Sequence, residues 1–292
     1  MNDFGARLFV ALQYLLPKYW ITRAFYSLTR VRVGPIKDFL IRRFVALYDV
    51  NIAEVTRAVP DGYESFNAFF TRELRDGARP VDEEPDAIIS PVDGTISACG
   101  SIDGQRIFQA KGHSYTLSDL LAINLEDARQ FEGGSFATIY LAPYNYHRIH
   151  APDAGRLREL HQVPGDLFSV NTATVNRVQG IFARNERLIC HFDTTDGPMA
   201  VIFVGALNVG SITTPWTGEL RPASAGTVAR LRPESDVSPN VERGDLLGWF
   251  NMGSTVILLF PPETVRWNDR LVPGETVRMG EAIGTRLSAA AE

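Results

Sequence analysis

Cysteine is scarce in this sequence. Cys99 and Cys190 are the only two in 292 residues, too few for the disulfide framework of a small secreted domain. No small-residue cleavage site follows the apolar stretch Leu8 to Pro17 before Lys18, so the expectation is an intracellular, unsecreted chain. Long apolar runs are missing as well. The longest uncharged run, Gly197 to Gly218, has 22 residues, but it holds four glycines and two prolines and reads as buried strands and turns rather than a membrane span. Excess positive charge is absent from the body of the chain: the net charge is -5, which argues against general nucleic-acid binding. What remains is 45% hydrophobic and 22% charged, enough to build a sizeable core and incompatible with disorder.

The charge is unevenly placed. Residues 1 to 50 carry eight basic and three acidic side chains, so this lead is +5 and the remainder -10. Its apolar residues recur at helical spacing, interrupted at Pro17 and at Gly34-Pro35, which predicts three short helices. In the third, Ile36, Phe39, Leu40, Phe44 and Leu47 fall on one face, with Asp38 and Arg42 four apart on another. A helical cap over a core would satisfy that pattern. The basic excess, together with Tyr14, Tyr19, Trp20, Phe25 and Tyr26, favours helices lying in an anionic membrane interface.

From about Ile88 the texture changes to short strands punctuated by Gly, Pro and Asp: Ala87 to Ser97, Ala137 to Ala142, Arg187 to Phe192 and Met199 to Val204. Thr195-Asp196-Gly197 between the last two signals a hairpin. Gly-acid turns recur at 163 to 166, 243 to 248 and 272 to 281, similar to those of lipoyl and biotinyl carrier domains. A carrier needs an exposed lysine at a hairpin tip. The chain has three lysines against 26 arginines, and only Lys111, in Gln-Ala-Lys-Gly, lies in the β region. The expected fold is therefore α+β and mainly β: basic amphipathic helices over residues 1–60, then a β-rich catalytic domain over 61–292 with lipoyl-like strand-turn elements but no carrier role.

Among five histidines, His147 and His150 sit together in Tyr-His-Arg-Ile-His-Ala-Pro, 146 to 152. No His-Glu-x-x-His helix or Cys pair completes a ligand set, so no metal is expected. Pro143 and Pro152 bracket the pair on a constrained segment where imidazoles can be held for proton transfer. Asp93 lies in Pro-Val-Asp-Gly, where an Asp-Gly turn is the ordinary reading. Ser254 opens the apolar run after Asn-Met-Gly, and no Gly-x-Ser-x-Gly elbow occurs. Asp, His and Ser in that order permit a triad in principle. Spacing alone leaves the case open.

The ordered motifs point further. Phe-Phe-Thr-Arg-Glu-Leu at 69 to 74 with Arg79-Pro80, Pro-Val-Asp-Gly at 91 to 94, Lys111-Gly112 with Tyr115, and Tyr-His-Arg-Ile-His-Ala-Pro open the series. Gly-Asp-Leu-Phe-Ser-Val-Asn at 165 to 171, Arg-Asn-Glu-Arg at 184 to 187, Val-Gly-Ala-Leu-Asn-Val-Gly-Ser-Ile at 204 to 212 and Gly-Ser-Thr at 253 to 255 complete it. Together they resemble phosphatidylserine decarboxylases of the pyruvoyl-dependent, membrane-associated bacterial type.

That resemblance implies a chain that cuts itself between Gly253 and Ser254. Ser254 would attack the Gly253 carbonyl, His150 would take its proton, and Asp93 would orient and charge-stabilise the imidazole. Elimination and hydrolysis would then leave a pyruvoyl group, the covalent cofactor, at position 254. His147 would protonate the carbanion left by decarboxylation. The implied partners are phosphatidylserine, an anionic membrane surface, the two cleaved chains of the protein and a second copy in a homodimer. The implied location is peripheral, on the cytoplasmic face of the inner membrane. Two residues depart from the commoner family pattern: Asn145 stands where Asp is frequent, leaving Asp93 as the carboxylate for His150, and Met252 replaces leucine before Gly253. Two rival readings stay in view: a serine hydrolase using Asp93, His150 and Ser254 on external substrates, and a non-enzymatic membrane-bound scaffold.

Overall fold

The computed structural model describes residues 3–122, 128–208, 211–222, 226–231, 238–253 and 255–287. Three helices open it, α1 (Asp3–Leu15), α2 (Lys18–Thr29) and α3 (Gly34–Tyr48). Their boundaries follow from local chemistry. Pro17 stands at the N-cap of α2, Pro35 lies in the first turn of α3 where its missing N–H costs nothing, and Asp49 closes α3 in a left-handed conformation. No helix among the described residues is long and apolar enough to cross a membrane.

The stripe expected on α3 is only partly its packing face. Ile41 is fully buried, and Leu40, Phe44 and Val45 pack with it against the helix Phe66–Phe70, whereas Ile36, Phe39 and Leu47 point outward. Asp38 pairs with Lys37 and not with Arg42. The reason is tertiary. The cluster of Ile41, Val50, Tyr63, Phe66, Phe69 and Phe70 selects the face that meets these aromatics, and the remaining apolar residues are left for something outside the described chain.

The rest is mainly β. Among the described residues a nine-stranded antiparallel sheet runs in the order 229–231, 155–163, 187–194, 197–204, 255–260, 135–140, 94–101 and 276–277, with 240–241 added alongside 155–163. Thr255–Phe260 is its centre, an apolar run buried at all six positions, paired with Gly197–Val204 on one side and Ser135–Tyr140 on the other. The expected hairpin is present: Thr194 pairs with Gly197, leaving a two-residue loop at Thr195-Asp196. A four-stranded sheet (218–220, 212–214, 246–250, 148–150) and a three-stranded one (87–89, 282–286, 265–267) pack beside it.

The stretch Ala87 to Ser97 is not one strand. Ala87–Ile89 joins the three-stranded sheet and Gly94–Ser101 the nine-stranded one. Between them Pro91 has no N–H to offer a ladder, and the Ser90 hydroxyl donates to the Val92 carbonyl at 2.7 Å, so the chain turns a corner there. That corner places Asp93.

Candidate active site

Tyr144 to His150 hangs from the short strand Arg148–His150, which pairs with Leu246–Phe250. The same Leu246–Phe250 strand leads directly into Asn251, Met252 and Gly253, and the Phe250 N–H donates to the His147 carbonyl at 3.2 Å. Topology thus brings the histidine segment beside the expected cleavage position. Asn251 fixes the approach. Its Nδ2 donates to the hydroxyls of Ser211 (2.9 Å) and Thr213 (2.8 Å), and its Oδ1 accepts from Asn67 at 3.0 Å.

His147 is fully buried, its ring against that of Phe70 at 4.1 Å between centroids. Nδ1–H donates to the Asn145 carbonyl at 2.8 Å, which leaves Nε2 with the lone pair. That Nε2 is buried without a hydrogen-bond partner among the described residues. Burial first, then the nearby Arg72 cation, hold the imidazole down to about 3. A Cβ placed on Gly253 would lie 2.7 Å from Nε2. A side chain on the residue that precedes Ser254 would therefore crowd the imidazole, and glycine fits there without displacing it. Ser254 itself lies outside the described residues. Thr255, next in the chain, pairs with both Val204 and Tyr140.

His150 is held differently. Its Nδ1–H donates to the Gly244 carbonyl at 2.7 Å, and its Nε2 accepts from the Tyr146 hydroxyl at 3.1 Å. Burial is the main cause that lowers its proton affinity, with Asp93 and Asp245 among the charges opposing that shift. The Asp93 carboxylate faces another way: Arg79 grips it through Nε (2.7 Å) and Nη2 (2.6 Å), and the Met279 N–H donates to it at 2.9 Å. Glu54 shares the Arg79 guanidinium at 3.0 Å. Asp93 thus reaches His150 through its field, while the imidazole is oriented by Gly244.

Several site residues were not singled out from the sequence. Arg72, nearly buried, donates to the carbonyls of Tyr144 (2.9 Å) and Asn145 (3.3 Å) and so pins the turn that carries His147. Phe70, Tyr146 and Asn251 have equally fixed places. Arg72 and Phe70 fall within the Phe-Phe-Thr-Arg motif, which was their only signal. Asn145 caps its own turn, its Oδ1 accepting from the Ala142 N–H at 2.7 Å.

A cavity of about 500 Å³ opens from Met252 and Gly253. Its walls are mostly apolar, from Phe25 and Leu28 of α2, from Leu40, Phe44 and Leu47 of α3, and from Phe66, Phe70 and Leu141. On the far side of the Tyr144–Tyr146 turn lies a smaller polar cavity of about 290 Å³ lined by Glu54, Arg72, Arg79 and Asp93. Among the described residues no group of three or more His, Cys, Asp and Glu side chains is arranged to hold a metal ion.

A buried imidazole, a glycine close beside it and a mostly apolar chamber lined by that glycine lie together. The comparisons specify the class. The phosphatidylserine decarboxylase family model matches residues 66–285, and a second model, PSD, matches residues 8–49. The phosphatidylserine decarboxylase proenzyme of Methylococcus capsulatus is 49% identical over 279 residues, covering 96% of each chain. That of Azotobacter vinelandii is 49% identical over 280 residues, 95% of this chain and 98% of that protein. That of Stutzerimonas stutzeri is 48% identical over 286 residues, 98% of this chain and 96% of that protein. The chain belongs to the phosphatidylserine decarboxylase family.

Proposed function

We propose that this protein decarboxylates phosphatidylserine to phosphatidylethanolamine, using a pyruvoyl group that it makes from its own Ser254 by cutting the Gly253-Ser254 bond. The observation that carries the reading is the buried Nε2 of His147, without a hydrogen-bond partner among the described residues, beside Gly253, which lines a mostly apolar cavity. The residues present fit a small group following Gly253: the His147 Nε2, without a hydrogen-bond partner among the described residues, lies where a Cβ on Gly253 would fall 2.7 Å away, so the space there is too tight for a side chain on residue 253. When formed, a pyruvoyl group supplies a conjugated carbonyl that takes up the electron pair released as carbon dioxide leaves.

The protein's own groups have separate tasks. In maturation, His150 takes the Ser254 hydroxyl proton at Nε2, so the Tyr146 hydroxyl now bonded to that atom relays the proton or yields to the serine. Gly244 keeps the ring aimed, and Asp93 stabilises the imidazolium through space. In turnover, His147 delivers the proton that replaces carbon dioxide. At rest Nε2 carries a lone pair, so the imidazole first takes up a proton from the ammonium group of the arriving serine headgroup, and its low proton affinity then makes it a ready donor. The distance to Gly253 supports a second reading, in which His147 also assists cleavage. Complete loss of cutting in His147→Ala would favour it, and partial cutting would restrict His147 to turnover.

The lead helices suit a peripheral membrane position on the cytoplasmic face of the inner membrane. Leu15, Trp20, Phe39 and Leu47 are 82%, 73%, 62% and 75% exposed, apolar surface that an interface would cover, with the +5 lead drawn to anionic lipid. The same helices cap the body, since Gln13 bonds Thr174 and Ser169 and Arg30 pairs with Glu219. The working unit in this reading is the two cleaved chains, paired as a homodimer. Of the Gly-acid turns, those at 243 to 248 and 272 to 281 lie between strands, the one at 163 to 166 leads from a strand toward the helix Thr172–Val175, and none holds a lysine. Carbonyl reagents should abolish carbon dioxide release from phosphatidylserine while serine-directed fluorophosphonates leave the mature protein active. The reverse pattern would indicate a serine hydrolase, and an active Ser254→Ala variant would indicate a scaffold.

A further inference from the structure

The cavity that Gly253 lines has one cationic residue in its wall among the described residues. Arg43 stands on the face of α3 that lines it, between Leu40 and Leu47, beside Phe44 and Tyr48. The basic residues nearest to it in the lead mostly have partners: Lys37 bonds Asp38 at 2.5 Å, Arg32 bonds Glu64 at 3.1 Å and Arg30 bonds Glu219 at 2.6 Å. Arg43 has no hydrogen bond or ion pair among the described residues. Phe44, its neighbour, packs on Phe70 at 5.8 Å, and Phe70 packs on His147 at 4.1 Å between centroids. Arg43 thus lines from α3 the same cavity that Gly253 lines, on the helix whose Phe44 packs on Phe70.

Resting on the decarboxylase reading above, we propose that Arg43 binds the phosphodiester of the lipid substrate and thereby selects phosphorylated serine lipids. The argument is electrostatic. The substrate brings two anions, a carboxylate that must leave as neutral carbon dioxide and a phosphodiester that keeps its charge throughout. A cation beside the carboxylate would stabilise the ground state more than the transition state and slow the reaction. A cation on the phosphodiester stabilises both equally and contributes affinity. Phe70, Leu141 and Met252 beside Gly253 are apolar, and Arg43 of α3 is the one cation among the described residues that line the cavity; Arg72, the cation near His147, lies outside that lining and is engaged with the Tyr144 and Asn145 carbonyls. A guanidinium can also bond two phosphate oxygens at once, which gives the headgroup a fixed orientation.

The test compares Arg43→Gln and Arg43→Lys with the parent and with Arg42→Gln, a neighbour of equal charge that does not line the cavity. Two substrates are used in the full-length, matured protein: a short-chain phosphatidylserine below its micelle threshold, and a serine lipid of the same acyl chains with a neutral linker in place of the phosphodiester. Arg43→Gln should raise KM for phosphatidylserine about 10- to 100-fold, as expected for loss of a charge-assisted hydrogen-bonded pair, with kcat little changed. Arg43→Lys should recover most of that loss. On the neutral analogue Arg43→Gln should equal the parent, Arg42→Gln should equal it on both substrates, and self-cleavage should be complete throughout. Equal losses on the two substrates, an unchanged KM, or the same loss in Arg42→Gln would overturn the assignment. A parent that matures but releases no carbon dioxide from phosphatidylserine would instead overturn the functional reading itself, and the Arg43 assignment with it.

Discussion

Replacing Gly253 by alanine would put a methyl group 2.7 Å from His147 Nε2. The backbone offers no objection of its own, since Gly253 is not among the residues with positive φ. The whole cost therefore lies in that contact. The imidazole cannot retreat cheaply: its Nδ1–H is bonded to Asn145 at 2.8 Å, one face lies on Phe70, and it has no exposed surface. Overpacking of this kind costs about 1–3 kcal/mol. For a chain of this length each kcal/mol lowers Tm by about 2 °C, so a fall of about 2–6 °C is expected. Calorimetry should be done in a Ser254→Ala background, so that the proteins compared are all uncut. Adding His147→Ala should remove the clash and restore most of the loss caused by Gly253→Ala, a coupling that a double-mutant cycle measures directly. With Ser254 present, Gly253→Ala should also slow self-cleavage. If Gly253→Ala neither lowers Tm nor couples to His147→Ala, the imidazole does not sit against residue 253 and the argument from that contact fails.

Further expectations follow from the same geometry. His150→Ala should leave the chain uncut, whereas His147→Ala should be cut at least in part yet release no carbon dioxide, as gels and a carbon dioxide assay would register; normal turnover in His147→Ala would refute its role. Arg79→Ala should weaken maturation by loosening Asp93, with Arg79→Lys intermediate, and an unaffected rate would show that the clamp is dispensable. His191, with both ring nitrogens buried and without hydrogen-bond partners among the described residues, is held down to about 3 chiefly by burial. Folded His191 stays neutral while the unfolded chain binds its proton below about 6.5, so stability falls as pH drops through the window between about 6.5 and 3. At pH 5 that is about 2 kcal/mol, and His191→Phe should remove it; an unchanged slope in pH-dependent denaturation would contradict the assignment. Leu15→Ser, Trp20→Ser and Phe39→Ser together should weaken flotation with anionic vesicles while changing Tm little, because the side chains are exposed. Unchanged flotation would reduce the lead to a structural cap.

The sequence made the local punctuation visible. Pro17 and Gly34-Pro35 mark real helix ends, and Thr195-Asp196 a real hairpin, because these depend on backbone chemistry within a few residues. The face of α3 was less legible: helical spacing groups Ile36 with Leu40 and Phe44, but only contact with Phe66 and Phe70 decides that Ile41 goes inside. Ala87 to Ser97 read as one strand because its composition does not reveal that the two halves belong to different sheets. At the site, residue chemistry singles out the histidine pair, Asp93 and Ser254 as candidates, while their roles and the Gly-Ser bond come from the resemblance rather than from spacing. The partners that orient them were hidden, since Arg79 meets Asp93 from 14 positions away, and the Met279 N–H and Gly244 carbonyl come from 186 and 94 positions away.

Intact mass under denaturing conditions tests the central claim most directly. Purified active protein should give two species, residues 1–253 and residues 254–292. Scaled by length from 32.4 kDa, the smaller is about 4 kDa. That piece should be lighter by one ammonia than a peptide beginning with serine, and its N-terminus should resist sequential degradation until the ketone is converted to an amine. Ser254→Ala should yield one uncut and inactive species. A single full-length mass with an unmodified serine at 254, measured on protein that releases carbon dioxide from phosphatidylserine, would contradict the account.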